Sequence, residues 1–105
     1  MKGFDSTPIV CTLTTAELRE REASLLAQFR SAVVETEELQ DGFAFRLTGE
    51  GKLIAFIAEL IVAERECCPF LAFELVALPN RGSLIVRVTG PDGTKEFVRS
   101  VFMQL

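Results

Sequence analysis

Gly42-Phe-Ala-Phe-Arg-Leu-Thr-Gly-Glu-Gly-Lys-Leu53 alternates apolar and polar side chains, turns through two glycines and then enters a helical pattern. Phe43, Phe45 and Leu47 fall on one side of the extended part and Ala44, Arg46 and Thr48 on the other, the pattern of a strand with one buried face. Before it, Gln40-Asp-Gly42 is a tight-turn signal and residues 33–39 are β-prone but acidic, so the two runs read as a hairpin. The same order returns in Ser83-Leu-Ile-Val-Arg-Val-Thr-Gly-Pro-Asp-Gly-Thr-Lys-Glu-Phe97: alternating strand, Arg, an apolar residue, Thr-Gly, turn, Lys, helix. An imperfect internal duplication accounts for the match, and convergent turn chemistry is the alternative.

Working outward, residues 1–8 form a lead-in closed by Pro8, and residues 9–13 alternate as a short strand with Cys11 inward. Thr14 with Glu17 three residues later signals a helix start, and helix one is expected over about residues 15–32. Its apolar face is Leu18, Leu25, Leu26 and Phe29, with Arg21 and Glu22 at the two edges of that face. A second helix fills residues 53–68 and stops at Pro69, whose ring disfavours helical geometry in the residue before it. Residues 71–78 and 84–89 then read as strands joined by a Pro79-Asn-Arg-Gly82 turn. A last helix covers residues 94–103 with Phe97, Val98, Val101 and Phe102 apolar.

The expected fold is a single α+β domain over residues 1–105, in the order β-α-ββ-α-ββ-α. Its sheet is mostly antiparallel with four or five strands, helices pack on one face, and the chain starts like half of a ferredoxin-like fold.

Composition narrows the function. The chain has 105 residues, a net charge of −4 and no His, Trp or Tyr, while nine Phe supply its aromatic content. One core is the limit for this length. The basic residues are scattered and form no phosphate-tracking stripe, so no nucleic-acid partner is expected. The N-terminus lacks the apolar core of a secretory leader and no uncharged run approaches a membrane span, so a cytoplasmic location without membrane association is expected. The high mean hydropathy, +0.30, leaves apolar surface for a homodimer interface.

Without His, Ser-His-Asp and Cys-His catalysis are excluded within one chain. Three cysteines, two of them adjacent, make no disulfide framework and stand in a reducing compartment as thiols or metal ligands.

The second helix holds the unusual feature. On a helical wheel Glu64 lies in the apolar stripe of Leu53, Ile57 and Leu60, with Cys67 and Cys68 on either side of it. A buried carboxylate must be neutral, ion-paired or metal-bound. Arg21 is the expected ion-pair partner; the sharper reading makes Glu64 a ligand or proton acceptor beside Cys67, and a rotated helix would expose it.

Cys67 and Cys68 are either small core hydrophobes or donors that converge on a soft ion. An adjacent-cysteine disulfide is strained, and the negative pole of a helix C-terminus disfavours an activated thiolate. If Cys11 reaches the pair from the sheet beneath, three thiolates without imidazole favour Cu(I), Zn(II) or Hg(II) over hard ions.

Gly90-Pro-Asp-Gly-Thr-Lys95 lacks the spacing of a phosphate-binding loop and reads as a turn with Asp92 or Thr94 capping the last helix. Arg46, Arg87 and Glu74 are placed on the solvated sheet face, pairing across strands with acidic residues such as Glu35 or Glu37.

Cys11-Thr-Leu-Thr-Thr-Ala-Glu-Leu18, Arg21, Glu64-Arg-Glu-Cys-Cys-Pro-Phe-Leu71 and Thr89-Gly-Pro-Asp-Gly-Thr-Lys-Glu-Phe97 resemble a family of small uncharacterised bacterial proteins. The likeness spans about residues 9–102 and implies that Cys11, Arg21, Glu64, Cys67 and Cys68 belong to one arrangement. It transfers a residue pattern and no activity.

Three functions follow as expectations. The first is a soft-metal or thiol-reactive binding domain with Cys11, Cys67 and Cys68 as donors, Glu64 as a further ligand or base and Arg21 holding Glu64. The second is a non-catalytic homodimeric interaction module with the cysteines in its core. The third, an enzyme using Glu64 as base, lacks a nucleophile with an activating partner.

Overall fold

The computed structural model describes residues 15–104, and the expected first strand with Cys11 lies outside them. The described chain runs α1 (Ala16–Ala32), β1 (Val33–Leu39), β2 (Gly42–Leu47), α2 (Gly51–Cys67), β3 (Ala72–Ala77), β4 (Leu84–Thr89) and α3 (Thr94–Val98). A π-helical turn, Arg99–Met103, continues α3. From α1 onward the α+β order read from the sequence is present.

The four strands form one antiparallel sheet in the order β1-β2-β4-β3. Two hairpins thus meet along their inner strands, with Phe45 opposite Val86. Those two residues occupy the same place in the sequence repeat, each preceding the Arg of Arg46-Leu-Thr or Arg87-Val-Thr. Each hairpin also carries the same cross-strand ion pair: Arg46 Nε donates to Glu35 Oε1 at 2.9 Å, and Arg87 Nε to Glu74 Oε1 at 2.8 Å. These pairs lie on the solvated face, as alternation predicted.

The other face holds the core. Phe43, Phe45 and Leu47 of β2 join Leu84, Val86 and Val88 of β4, and α1 lays Leu25, Leu26 and Phe29 on them. The Phe29 ring meets Phe45 edge-on at 5.2 Å and Phe102 at 6.0 Å, a geometry that sets the positive ring edge against a negative ring face. α2 contributes Ile57, Leu60, Glu64 and Cys67, spaced as one helical stripe. Gly42 is required at the start of β2, because a Cβ there would lie 1.9 Å from the Val88 carbonyl oxygen.

Several local expectations change. The α1 cap is Thr15, whose side chain accepts the Leu18 N–H at 3.1 Å. Leu18, expected on the buried face, is 40% exposed and lines a shallow surface depression between α1 and α2 with Arg21, Glu59 and Val62. Ala44, expected outward on the solvated face, is buried. At α3 the cap is Gly93 in left-handed geometry (φ 97°), with no side-chain cap from Asp92 or Thr94. Among the described residues no helix is long and apolar enough to cross a membrane.

Candidate metal centre

The C-terminal turn of α2 builds the centre. Glu64 sits where the apolar period calls for a leucine and is fully buried, as are Cys67 and Cys68 at 2% and 0% exposure. Two adjacent residues on a continuous helix would diverge by about 100°. Here Pro69 ends the helix, and Cys68 leaves helical geometry with φ −128° and ψ 73°. Its N–H still closes on the Glu64 carbonyl at 2.6 Å, holding the last turn together. The break lets both thiols turn to one side.

The Cys68 thiol donates to Glu64 Oε1 across 3.5 Å. Glu22 approaches from α1, half-buried, and completes the group. One donor atom each from Glu22, Glu64, Cys67 and Cys68 lies within 4.8 Å of every other. Neither Cys67 nor Cys68 is in a disulfide.

Burial is the first cause that pushes the Cys68 thiol far above its ordinary value of 9.0; the negative charges of Glu64 and Glu22 and the Glu64 hydrogen bond add to it, and a hydrogen bond with Cys67 opposes. Without a cation Cys68 is a neutral thiol at pH 7 and a poor nucleophile. A bound cation reverses that preference, since its charge deprotonates a coordinating thiol.

Of the residues singled out from sequence, the fold brings together Glu64, Cys67 and Cys68. Arg21 is a correction. Instead of holding Glu64, it is ion-paired with Glu59 on the exposed side of the α1–α2 contact. Arg21 and Glu22 lie at opposite edges of the α1 stripe, and the way α1 crosses α2 turns the Glu22 edge toward the buried turn. Glu22 therefore enters the site where Arg21 was expected. Its signal was present in the spacing, since Glu22 sits one turn from both Leu18 and Leu26.

The Gly90-Pro91-Asp92-Gly93 loop gains nothing as an anion site. Lys95 and Arg99, its nearby cations, both turn to Glu38, the latter at 3.3 Å. The Lys95 hydrogen bond is the first of the effects that draw the Glu38 carboxyl below its ordinary value.

No protein-family model, curated protein or solved structure matches this chain.

Proposed function

We propose that the protein binds a thiophilic metal ion between α1 and the C-terminal turn of α2. Cys67 and Cys68 supply sulfur, and Glu64 and Glu22 supply carboxylate oxygen. The observation that carries this reading is the convergence of four donor atoms within 4.8 Å of one another, three of them from buried residues.

Burying the Glu64 carboxylate beside two thiols, with the half-buried Glu22 carboxylate next to it, is a poor way to fill a core, because a buried anion loses its hydration and like charges repel. A cation at their centre reverses the balance. Hard ions such as Mg(II) and Ca(II) demand six or more oxygen ligands, and thiols do not serve them. Thiolate donors favour Cu(I), Zn(II) and Hg(II). Four protein ligands would close the coordination shell, as in sites that hold an ion, whereas catalytic sites keep one position open. We also propose that Cys11, on the strength of its inward place in the expected first strand, is a thiol donor that would replace one carboxylate in that four-ligand shell.

The test is titration of the reduced full-length chain with Zn(II) and with Hg(II), alongside Cys67→Ser and Cys68→Ser. One tightly bound ion per chain, lost or strongly weakened in both variants, is the expected result. Equal stoichiometry and affinity in wild type and variants would contradict it. Cys11→Ser in the same series reports whether the third sulfur takes part.

A further inference from the structure

We infer that this site discriminates by charge and geometry in favour of a borderline divalent ion, Zn(II) or its congener Cd(II), over monovalent Cu(I), and that Glu22 sets the preference. The inference rests on the metal-binding reading above and narrows its ligand class.

Charge comes first. With both thiols deprotonated the four side chains carry four negative charges. A divalent ion offsets one more of these charges than a monovalent ion does, in a place where Glu64, Cys67 and Cys68 are all buried. Uncompensated buried charge is costly, so the more highly charged ion is favoured. Arg21, the cation nearest in the α1 sequence, does not offset the difference because it is committed to Glu59 on the exposed side.

Ligand type acts in the same direction. Cu(I) is satisfied by thiolates alone and gains little from carboxylate oxygen, whereas Zn(II) accepts sulfur and carboxylate together. A site built for Cu(I) from Cys67 and Cys68 has no use for two acidic neighbours.

Geometry agrees with a tetrahedral ion. Bonds of about 2.3 Å to sulfur and about 2.0 Å to oxygen, at tetrahedral angles, set a sulfur and an oxygen about 3.5 Å apart. Cys68 Sγ and Glu64 Oε1 already stand at 3.5 Å. The remaining donor pairs lie no farther than 4.8 Å, so closing the tetrahedron asks for side-chain movements on the order of 1 Å. Glu22 is the member best able to make that movement. It alone comes from α1, and it alone is only half-buried, so its carboxylate closes over the ion from the solvent side.

The experiment uses the reduced full-length protein, its Glu22→Gln variant and an Arg21→Gln control. Affinities for Zn(II) and Cu(I) are measured separately by competition with a chromophoric chelator for each ion, with circular dichroism confirming the fold. Glu22→Gln is expected to weaken Zn(II) by at least about tenfold while Cu(I) stays within about threefold, the loss typical of removing a group that shapes a metal site. Arg21→Gln is expected to change neither. Equal losses for the two ions, or no loss for either, would overturn the selectivity and leave the thiophilic site standing. Failure of the wild-type chain to bind either ion would overturn both.

Discussion

Raising the pH should destabilise the metal-free protein through one identifiable group. Cys68 is buried in the fold with its thiol held protonated well above the ordinary value of 9.0. In the unfolded chain that thiol loses its proton near the ordinary value, while in the folded chain it keeps it. The folded state then binds more protons than the unfolded state, so stability falls as pH rises, and the slope approaches about 1.4 kcal/mol per pH unit once the unfolded thiol is ionised. With an unfolded value of 9.0, the loss is negligible at pH 8 and about 1.4 kcal/mol at pH 10. The assay is urea unfolding of chelator-treated, reduced wild-type protein and Cys68→Ala at both pH values. Titrating groups out of contact with Cys68 contribute equally to both proteins and cancel in the difference. The stability advantage of wild type over variant is expected to shrink by about 1.4 kcal/mol from pH 8 to pH 10. A difference that stays constant with pH would show that Cys68 titrates in the fold as it does in the unfolded chain, and would remove the buried, acid-flanked thiol from the account.

Phe29→Ala should cost about 3–5 kcal/mol, since the ring is fully buried between Phe45 and Phe102, and chemical denaturation measures it. Gly42→Ala should destabilise by about 3 kcal/mol or prevent folding, because its Cβ would overlap the Val88 carbonyl of the neighbouring strand. A double-mutant cycle on Arg46 and Glu35 should return a coupling below about 1 kcal/mol, because both side chains are largely exposed; a larger value would mean that the outer sheet face is desolvated. Thr15→Ala should lower stability by about 0.5–2 kcal/mol through loss of the α1 cap, with a matching loss of helical ellipticity.

The fold was legible where signals are local. Alternation at Phe43-Ala-Phe and Leu84-Ile-Val gives strands whose register follows from short turns, and the 3.6-residue period placed Ile57, Leu60, Glu64 and Cys67 on one buried stripe. The duplicated Arg-apolar-Thr-Gly runs anticipated two alike hairpins, whose Phe45–Val86 contact the structure then supplied. What was not legible depends on distant geometry. A helical wheel states the azimuth of Arg21 and Glu22 but not the crossing of α1 over α2, and that crossing decides which of them reaches Glu64. The α1 cap moved from Thr14 to Thr15 because adjacent threonines offer the same chemistry and only the chain entry chooses between them. The π-helical turn after α3 carries no periodic signature, since Val98 and Phe102 keep ordinary helical spacing.

The most direct test of the metal centre is X-ray absorption at the zinc edge of the reduced, Zn(II)-loaded full-length protein. The account predicts at least two sulfur neighbours at about 2.3 Å together with oxygen neighbours at about 2.0–2.2 Å, with the sulfur shell diminished in the Cys67→Ser, Cys68→Ser double variant. A shell of oxygen and nitrogen alone, unchanged in that variant, would place the ion on the acidic surface and contradict a site built from Glu22, Glu64, Cys67 and Cys68.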